Sequence, residues 1–378
     1  MRNRKKSARC TDGATRKTAK TRLFLTAALF LPPRVFGADS YEAVPSGEAQ
    51  ASARIVSLIE GAVGADRQET GSARRDAHAK AHGCVRARFR VNETLPAELR
   101  QGVFQEGRVY RSWIRYSNGA GRAAKDSEGD ARGMAIKLLG APGPKLADDE
   151  KAAQDFLLID SPVFFVRNAA DYVEFSEAVA AKKPASFFMR GFNPFRWRFH
   201  ELRAALAILR KKPADPLDLR YWSATPYLLG DAGPVKYSAR PCAAAPAGKP
   251  DGKNPNFLRD AMSARLKNAG ACFEFLVQLR TDPSRQPVED PTVGWSEKTS
   301  PFRRVATIDI PAQRFETPEQ EKFCENLSMS PWHAAPEHRP LGGINRVRRI
   351  VYAAVSKLRH DLNGAPRSEP TGDETFPD

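Results

Sequence analysis

The segment Cys84-Val-Arg-Ala-Arg-Phe-Arg-Val91 constrains the fold more than any other part of the chain. Val85, Ala87, Phe89 and Val91 alternate with Arg86, Arg88 and Arg90, and a strict period of two fits a strand with one face on a core and the other in water. Strand-like runs recur at 109–117, 133–139, 155–160, 163–167, 234–239, 271–280 and 304–310. Spaced strands of this kind predict a barrel or a sandwich. Helical patterns surround them. A polar helix is expected within 39–75, with Ile55, Leu58, Ile59 and Val63 at helical spacing, and another at about 169–182. A basic-aromatic stretch fills 186–212, a helix start is read at Thr317-Pro-Glu-Gln320, and Asn345–Leu362 forms a long closing helix. No linker divides the pattern. The expectation is one α+β domain over 39–365 and a disordered Gly-, Pro- and acid-rich tail at 366–378.

The net charge of +16 is unevenly spread: residues 1–38 hold ten Lys or Arg against Asp12 alone, a net of +9. About +7 remains for everything else, which weighs against a nucleic-acid-binding domain. After the basic start come Leu23-Phe-Leu-Thr-Ala-Ala-Leu-Phe-Leu31 and the small residues Gly37-Ala38. That order predicts a secretory signal over 1–38, or an uncleaved N-terminal anchor, and with it export to the periplasm. The nine-residue apolar run is too short to span a bilayer as a helix. Cys10 lies in this leader, while Cys84, Cys242, Cys272 and Cys324 show neither a CxxC pair nor zinc spacing. In an oxidising compartment one or two disulfides are expected, with three full pairings open. Cys84 and Cys272 lie in strand runs and also read as buried thiols.

Four segments carry residues with chemistry. In the closing helix, Arg348, Tyr352 and Arg359 fall on one face within about 40° of each other, beside the apolar stripe Val351, Val355, Leu358 and Leu362. A cation next to a tyrosine favours the charged phenolate, and tyrosinate is one of the ways proteins hold haem iron. The same pattern also describes an ordinary amphipathic helix with solvated arginines. His78 and His82 are four apart, a metal-ligand spacing on a helix. They run directly into the alternating strand, however, and an extended chain loses that geometry. On a strand, Arg115 and Ser117 of Trp113-Ile-Arg115-Tyr-Ser117 point to the same side. Arg190-Gly-Phe-Asn-Pro-Phe-Arg-Trp-Arg-Phe199, with the basic run Arg210-Lys-Lys212, reads either as peripheral membrane contact over 190–212 or as a covering loop and helix.

Taken together, these segments resemble the catalase superfamily. Arg75-Asp-Ala-His78-Ala-Lys, Ile114-Arg115-Tyr-Ser117, Asp130-Ala-Arg-Gly133-Met-Ala-Ile-Lys137, Ser161-Pro-Val-Phe-Phe165-Val-Arg-Asn and Arg348-x3-Tyr352-x6-Arg359 occur in family order from residue 75 to 359. Tyr221-Trp-Ser-Ala-Thr-Pro-Tyr227, Pro291-Thr-Val-Gly-Trp295 and Glu337-His-Arg-Pro-Leu-Gly-Gly343 look like the small catalase-related branch that includes allene oxide synthase domains. The resemblance implies an antiparallel β-barrel with surrounding helices and a haem b cofactor. It implies Tyr352 as iron ligand backed by Arg348, and Arg75, Arg115 and Arg359 on the haem propionates. Tyr172 would stack on the haem, with His78 as catalytic acid and base oriented by Ser117. Where the family places a peroxide-binding asparagine, this chain has Ile159-Asp160. The implied activity is therefore peroxidase-like or organic-hydroperoxide chemistry with altered catalase activity; the alternatives are a non-catalytic exported haem carrier or sensor and a haem-free scaffold. If Tyr352 is not the ligand, His333 is the next candidate.

Overall fold

The structure, a computed structural model, describes residues 41–244 and 248–377. The leader expected at 1–38 lies outside the described residues. Among those described, no helix is long and apolar enough to cross a membrane. In chain order the elements are α1 (Glu48–Thr70), β1 (Ala81–Val91), β2 (Val109–Asn118), β3 (Arg132–Leu138), β4 (Gln154–Ile159), α2 (Ala169–Ala180), α3 (Ala185–Phe188) and α4 (Phe199–Leu209). They continue with β5 (Tyr221–Trp222), β6 (Tyr227–Leu228), β7 (Pro234–Pro241), α5 (Phe257–Leu266), β8 (Ala271–Leu279), β9 (Arg303–Ile310), α6 (Pro318–Asn326) and α7 (Gly343–Asn363).

All strand pairs are antiparallel, in the order β5-β4-β3-β2-β1-β9-β8-β7, and β7 pairs back onto β5. That last pairing closes an eight-stranded barrel and removes both sheet edges. The α+β reading and the barrel both hold. Val85, Ala87, Phe89 and Val91 of β1 point into the barrel while Arg88 and Arg90 face solvent, as period-two patterning requires. Aromatic rings fill the middle: Phe89 and Phe156 stand 5.0 and 4.8 Å from Phe275, and Phe156 is 5.0 Å from Tyr237. A second apolar layer lies outside, where Ile55, Ile59 and Val63 of α1 meet Val347, Val351 and Val355 of α7.

Three expectations change. Residues 163–167 are not a strand: Pro162 has no N–H to give a ladder, the Phe164 N–H donates to the Pro291 carbonyl at 3.1 Å, and Phe164 and Phe165 join Phe175, Phe187 and Phe188 in an aromatic layer. The cysteines are paired as Cys84–Cys324 and Cys242–Cys272, so Cys84 and Cys272 are not free thiols. The tail is seated. Trp113 Nε1 donates to Glu374 at 3.0 Å, Glu369 accepts the N–H groups of Lys151 and Ala152, and the Phe376 ring lies 5.3 Å from Phe323.

Candidate active site

Strand register builds one wall of the site. Ser117, Gly133 and Ile159 lie side by side across β2, β3 and β4, and Arg115, Ala135 and Leu157 form the next row. Residues of one row share a face. The intervening Ile114, Tyr116, Met134, Ile136, Phe156 and Leu158 turn into the barrel core. The two rows therefore face outward, and they line a chamber completed by the turn at Arg75–His78, by Tyr172 of α2 and by Arg348, Val351, Tyr352, Val355 and Arg359 of α7. All eight site residues read from the sequence line this one chamber.

His78 is fixed from several sides. It sits in the left-handed backbone region at φ 58°, a costly place for a non-glycine residue. Its N–H donates to the Gly119 carbonyl at 3.0 Å and its own carbonyl accepts Arg115 Nη2 at 2.9 Å. Its Nδ1 lies 3.0 Å from Ser117 Oγ. Burial, and then the charges of Arg115 and Arg348, push its pKa down to about 3, so the imidazole is neutral. Gly133 makes the space: a Cβ there would come within 2.6 Å of His78 Nδ1 and 2.8 Å of Ser117 Oγ. His82 is not its partner. It is buried in β1, 4.0 Å from Asp126, so the i,i+4 metal pair does not exist.

On α7, Arg348 Nη2 donates to Tyr352 Oη at 3.2 Å and Arg348 Nη1 to Asn345 Oδ1 at 3.1 Å. Burial works against the Arg348 charge, but the phenol oxygens of Tyr352 and Tyr227 more than offset it and raise its pKa. Arg75, Arg115 and Arg359 converge on a single carboxylate, Glu325, at 2.8, 3.7 and 3.3 Å. Three guanidinium groups against one carboxylate leave a surplus of two positive charges. Burial, then repulsion from Arg75, pulls Arg115 and Arg359 down to about 9. The Nε atoms of both are buried without a hydrogen-bond partner. Such donors call for anionic acceptors, and this set suits a ligand carrying two negative charges.

Two other positions behave differently from their sequence neighbours. Ile159 lines the chamber, whereas Asp160 turns away, its Oδ1 accepting the Arg132 N–H at 2.9 Å and its Oδ2 lying 3.6 Å from Lys211. His333 lies outside the chamber in a buried charge cluster, 2.8 Å from Asp155 and 3.2 Å from Asp149. Burial and Lys137 oppose its protonation, but the hydrogen bonds to Asp149 and Asp155 win and lift its pKa to about 9. Glu150, Asp155 and His333 are near enough to hold a metal. Lys137 Nζ already stands among them, 2.9 Å from Asp155 and 3.3 Å from His333, and its ammonium takes the cation's place.

Sequence reasoning missed Glu325, whose only local signal is its neighbour Cys324, and Asp76, which lines the chamber and is raised to about 6 by burial. It also passed over Ser223 and Thr225 on the chamber wall.

The family model described as Catalase matches residues 56–205. A catalase-related peroxidase of Mycolicibacterium paratuberculosis is 26% identical over 285 residues, 70% of this chain and 83% of the relative. Among solved structures, a fungal catalase superposes with a TM-score of 0.62 at 18% identity, over 82% of this chain and 65% of its own. Catalase A of Saccharomyces cerevisiae gives 0.63 at 17% identity, over 83% and 67%. The chain thus spans about two thirds of the length of those catalase subunits.

Proposed function

Because the chain belongs to the catalase superfamily, we propose that the chamber holds haem b and that the protein is a haem-dependent oxidoreductase acting on peroxides. The observation that carries this is the surplus of two positive charges where Arg75, Arg115 and Arg359 meet Glu325. Haem has two propionates, and the unpartnered Nε atoms of Arg115 and Arg359 are donors for them. In the same chamber Tyr352 offers an oxygen ligand for iron, and the Arg348 guanidinium on that oxygen compensates the charge of a coordinated phenolate. Tyr172 supplies a ring for the haem face. When bound, the haem supplies the iron at which a peroxide O–O bond is cleaved.

The chain's own residues handle the proton. Neutral His78 takes it from the peroxide and returns it to the departing oxygen, and Ser117 holds the ring at the orientation this needs. Ile159 offers no hydrogen bond to the peroxide. That favours organic or lipid hydroperoxides, whose apolar bodies pack against it, over rapid hydrogen peroxide dismutation. The two disulfides support the export reading, since such bonds persist in oxidising compartments like the periplasm. The second reading, an exported haem carrier or sensor without catalysis, draws on Ile159; the His78–Ser117 pair speaks against it.

The test is a spectrum followed by turnover. Purified protein supplemented with haemin is expected to give a high-spin ferric, tyrosinate-ligated spectrum that Tyr352→Phe abolishes; protein that stays colourless overturns the proposal. His78→Ala should keep its haem and lose about 10²–10⁴-fold of hydroperoxide turnover. Haem without turnover in the unmodified protein selects the carrier.

A further inference from the structure

The loop and helix that follow α3 place apolar side chains in water. Of the nine large hydrophobic side chains exposed in the described residues, five fall between Met189 and Leu209. Phe192 and Phe195 reach relative exposures of 104% and 98%, so nothing shields either ring on any side. Burying such a ring is strongly favourable and leaving it in water is a standing cost.

The surrounding charge is of one sign. Between residues 182 and 212 the chain has nine Lys or Arg and a single acid, Glu201. Glu201 is buried and already paired with Arg167 at 2.8 Å. Arg190 and Arg198 pair with Glu174 of α2, and Lys211 lies near Asp160. Lys182, Lys183, Arg196, Arg203, Arg210 and Lys212 are exposed and have no acidic partner among the described residues. Behind the loop, Phe187 and Phe188 anchor it to the aromatic layer of Phe165 and Phe175. The exposed rings therefore project from a rigid base.

We infer that residues 182–212 form a docking element for an anionic lipid surface, with Phe192 and Phe195 entering the acyl region and the six exposed cations meeting phosphate headgroups. Aromatic tips between cations match a bilayer surface, where the apolar layer lies just beneath the anionic one. Docking stands independently of what the chamber binds.

The experiment follows full-length protein on vesicles of phosphatidylcholine with one quarter phosphatidylglycerol, and on pure phosphatidylcholine. Hydrogen–deuterium exchange reads the loop separately from residues 1–40. The anionic vesicles are expected to protect amides 189–199, and Phe192→Ser with Phe195→Ser to lower vesicle partitioning about tenfold or more. Arg196→Glu with Arg203→Glu should remove the preference for phosphatidylglycerol. Unprotected loop amides on bound protein, or variants that partition like the parent, overturn the inference. A lipid-free dimer in sedimentation that the double serine variant dissociates also overturns it, because the occupant is then a second copy of this chain. Should a variant fail to fold, the exchange pattern of the parent protein decides alone.

Discussion

Gly133 leaves no room for a side chain in the chamber. A methyl group there would press on His78 Nδ1 at 2.6 Å and on Ser117 Oγ at 2.8 Å, both well inside contact distance. In Gly133→Ala the imidazole must swing off Ser117. Overpacking of this kind costs about 1–3 kcal/mol, and a displacement near 1 Å at a reacting group lowers turnover about 100-fold. Haem content should stay unchanged, because Tyr352 and the arginines are untouched; normal turnover in this variant would show that the His78–Ser117 contact is not what orients the base. The residues of this site were legible as a set of motifs that resemble one family in order along the chain. Alone, an arginine, a tyrosine and a second arginine on one helical face also describe an ordinary amphipathic helix. Glu325 lies in no such motif. It reaches the arginines only because α6 ends beside them, a fact held in tertiary packing.

The Cys84–Cys324 bond joins β1 to α6 across a sequence separation of 240, and Glu325 is the next residue along. The element that carries the cluster's one carboxylate is thus tied to the barrel. Cys324→Ser is expected to lower stability by about 2–5 kcal/mol. Freed of the tie, Glu325 compensates the three arginines less well, so the gap in melting temperature between haemin-loaded and haemin-free protein should widen relative to the parent. Calorimetry of both forms checks this, and an unchanged gap refutes it. At the level of elements, β1 declared itself by strict alternation, the other strands of six or more residues by apolar strand-like runs, and α7 by its single apolar stripe. β5 and β6, at two residues each, are too short for any period to register. The run at 163–167 was misread because a short apolar stretch looks alike whether it pairs in a sheet or packs its rings on a layer.

For the whole molecule, pH acts through buried histidines of opposite sign. Burial pushes His78 and His338 down to about 3, and His82 down as well, from 6.5. Below pH 6.5 the unfolded chain takes up protons that the folded one refuses, so stability falls on acidification by about 1.4 kcal/mol per pH unit for each group. Asp76, raised to about 6, opposes this with one proton between its unfolded value of 3.8 and 6. His333, raised to about 9, contributes stability that is full below 6.5 and lost as pH rises through 9. Lys236, pulled by burial from 10.5 down to about 7, gains stability over much of the same range and offsets that loss. Denaturant titrations are therefore expected to show a steep fall below pH 6.5 and little change between pH 7 and 9; stability that holds level from pH 6.5 to 5 would contradict these assignments. The barrel's closure was legible only through the family resemblance, since strand patterns alone leave a barrel and a sandwich open and closure depends on which strands become neighbours. Its topology also governs how the protein is made. β1 pairs on one side with β9, so that Arg88 lies opposite Asp309, about 220 residues later. At roughly 5–20 residues per second, a growing chain holds that edge open for roughly 10–40 s before its partner exists. Over that interval the nascent sheet can be templated by another chain, so yield during synthesis should depend on chaperone supply more than on the stability of the finished fold.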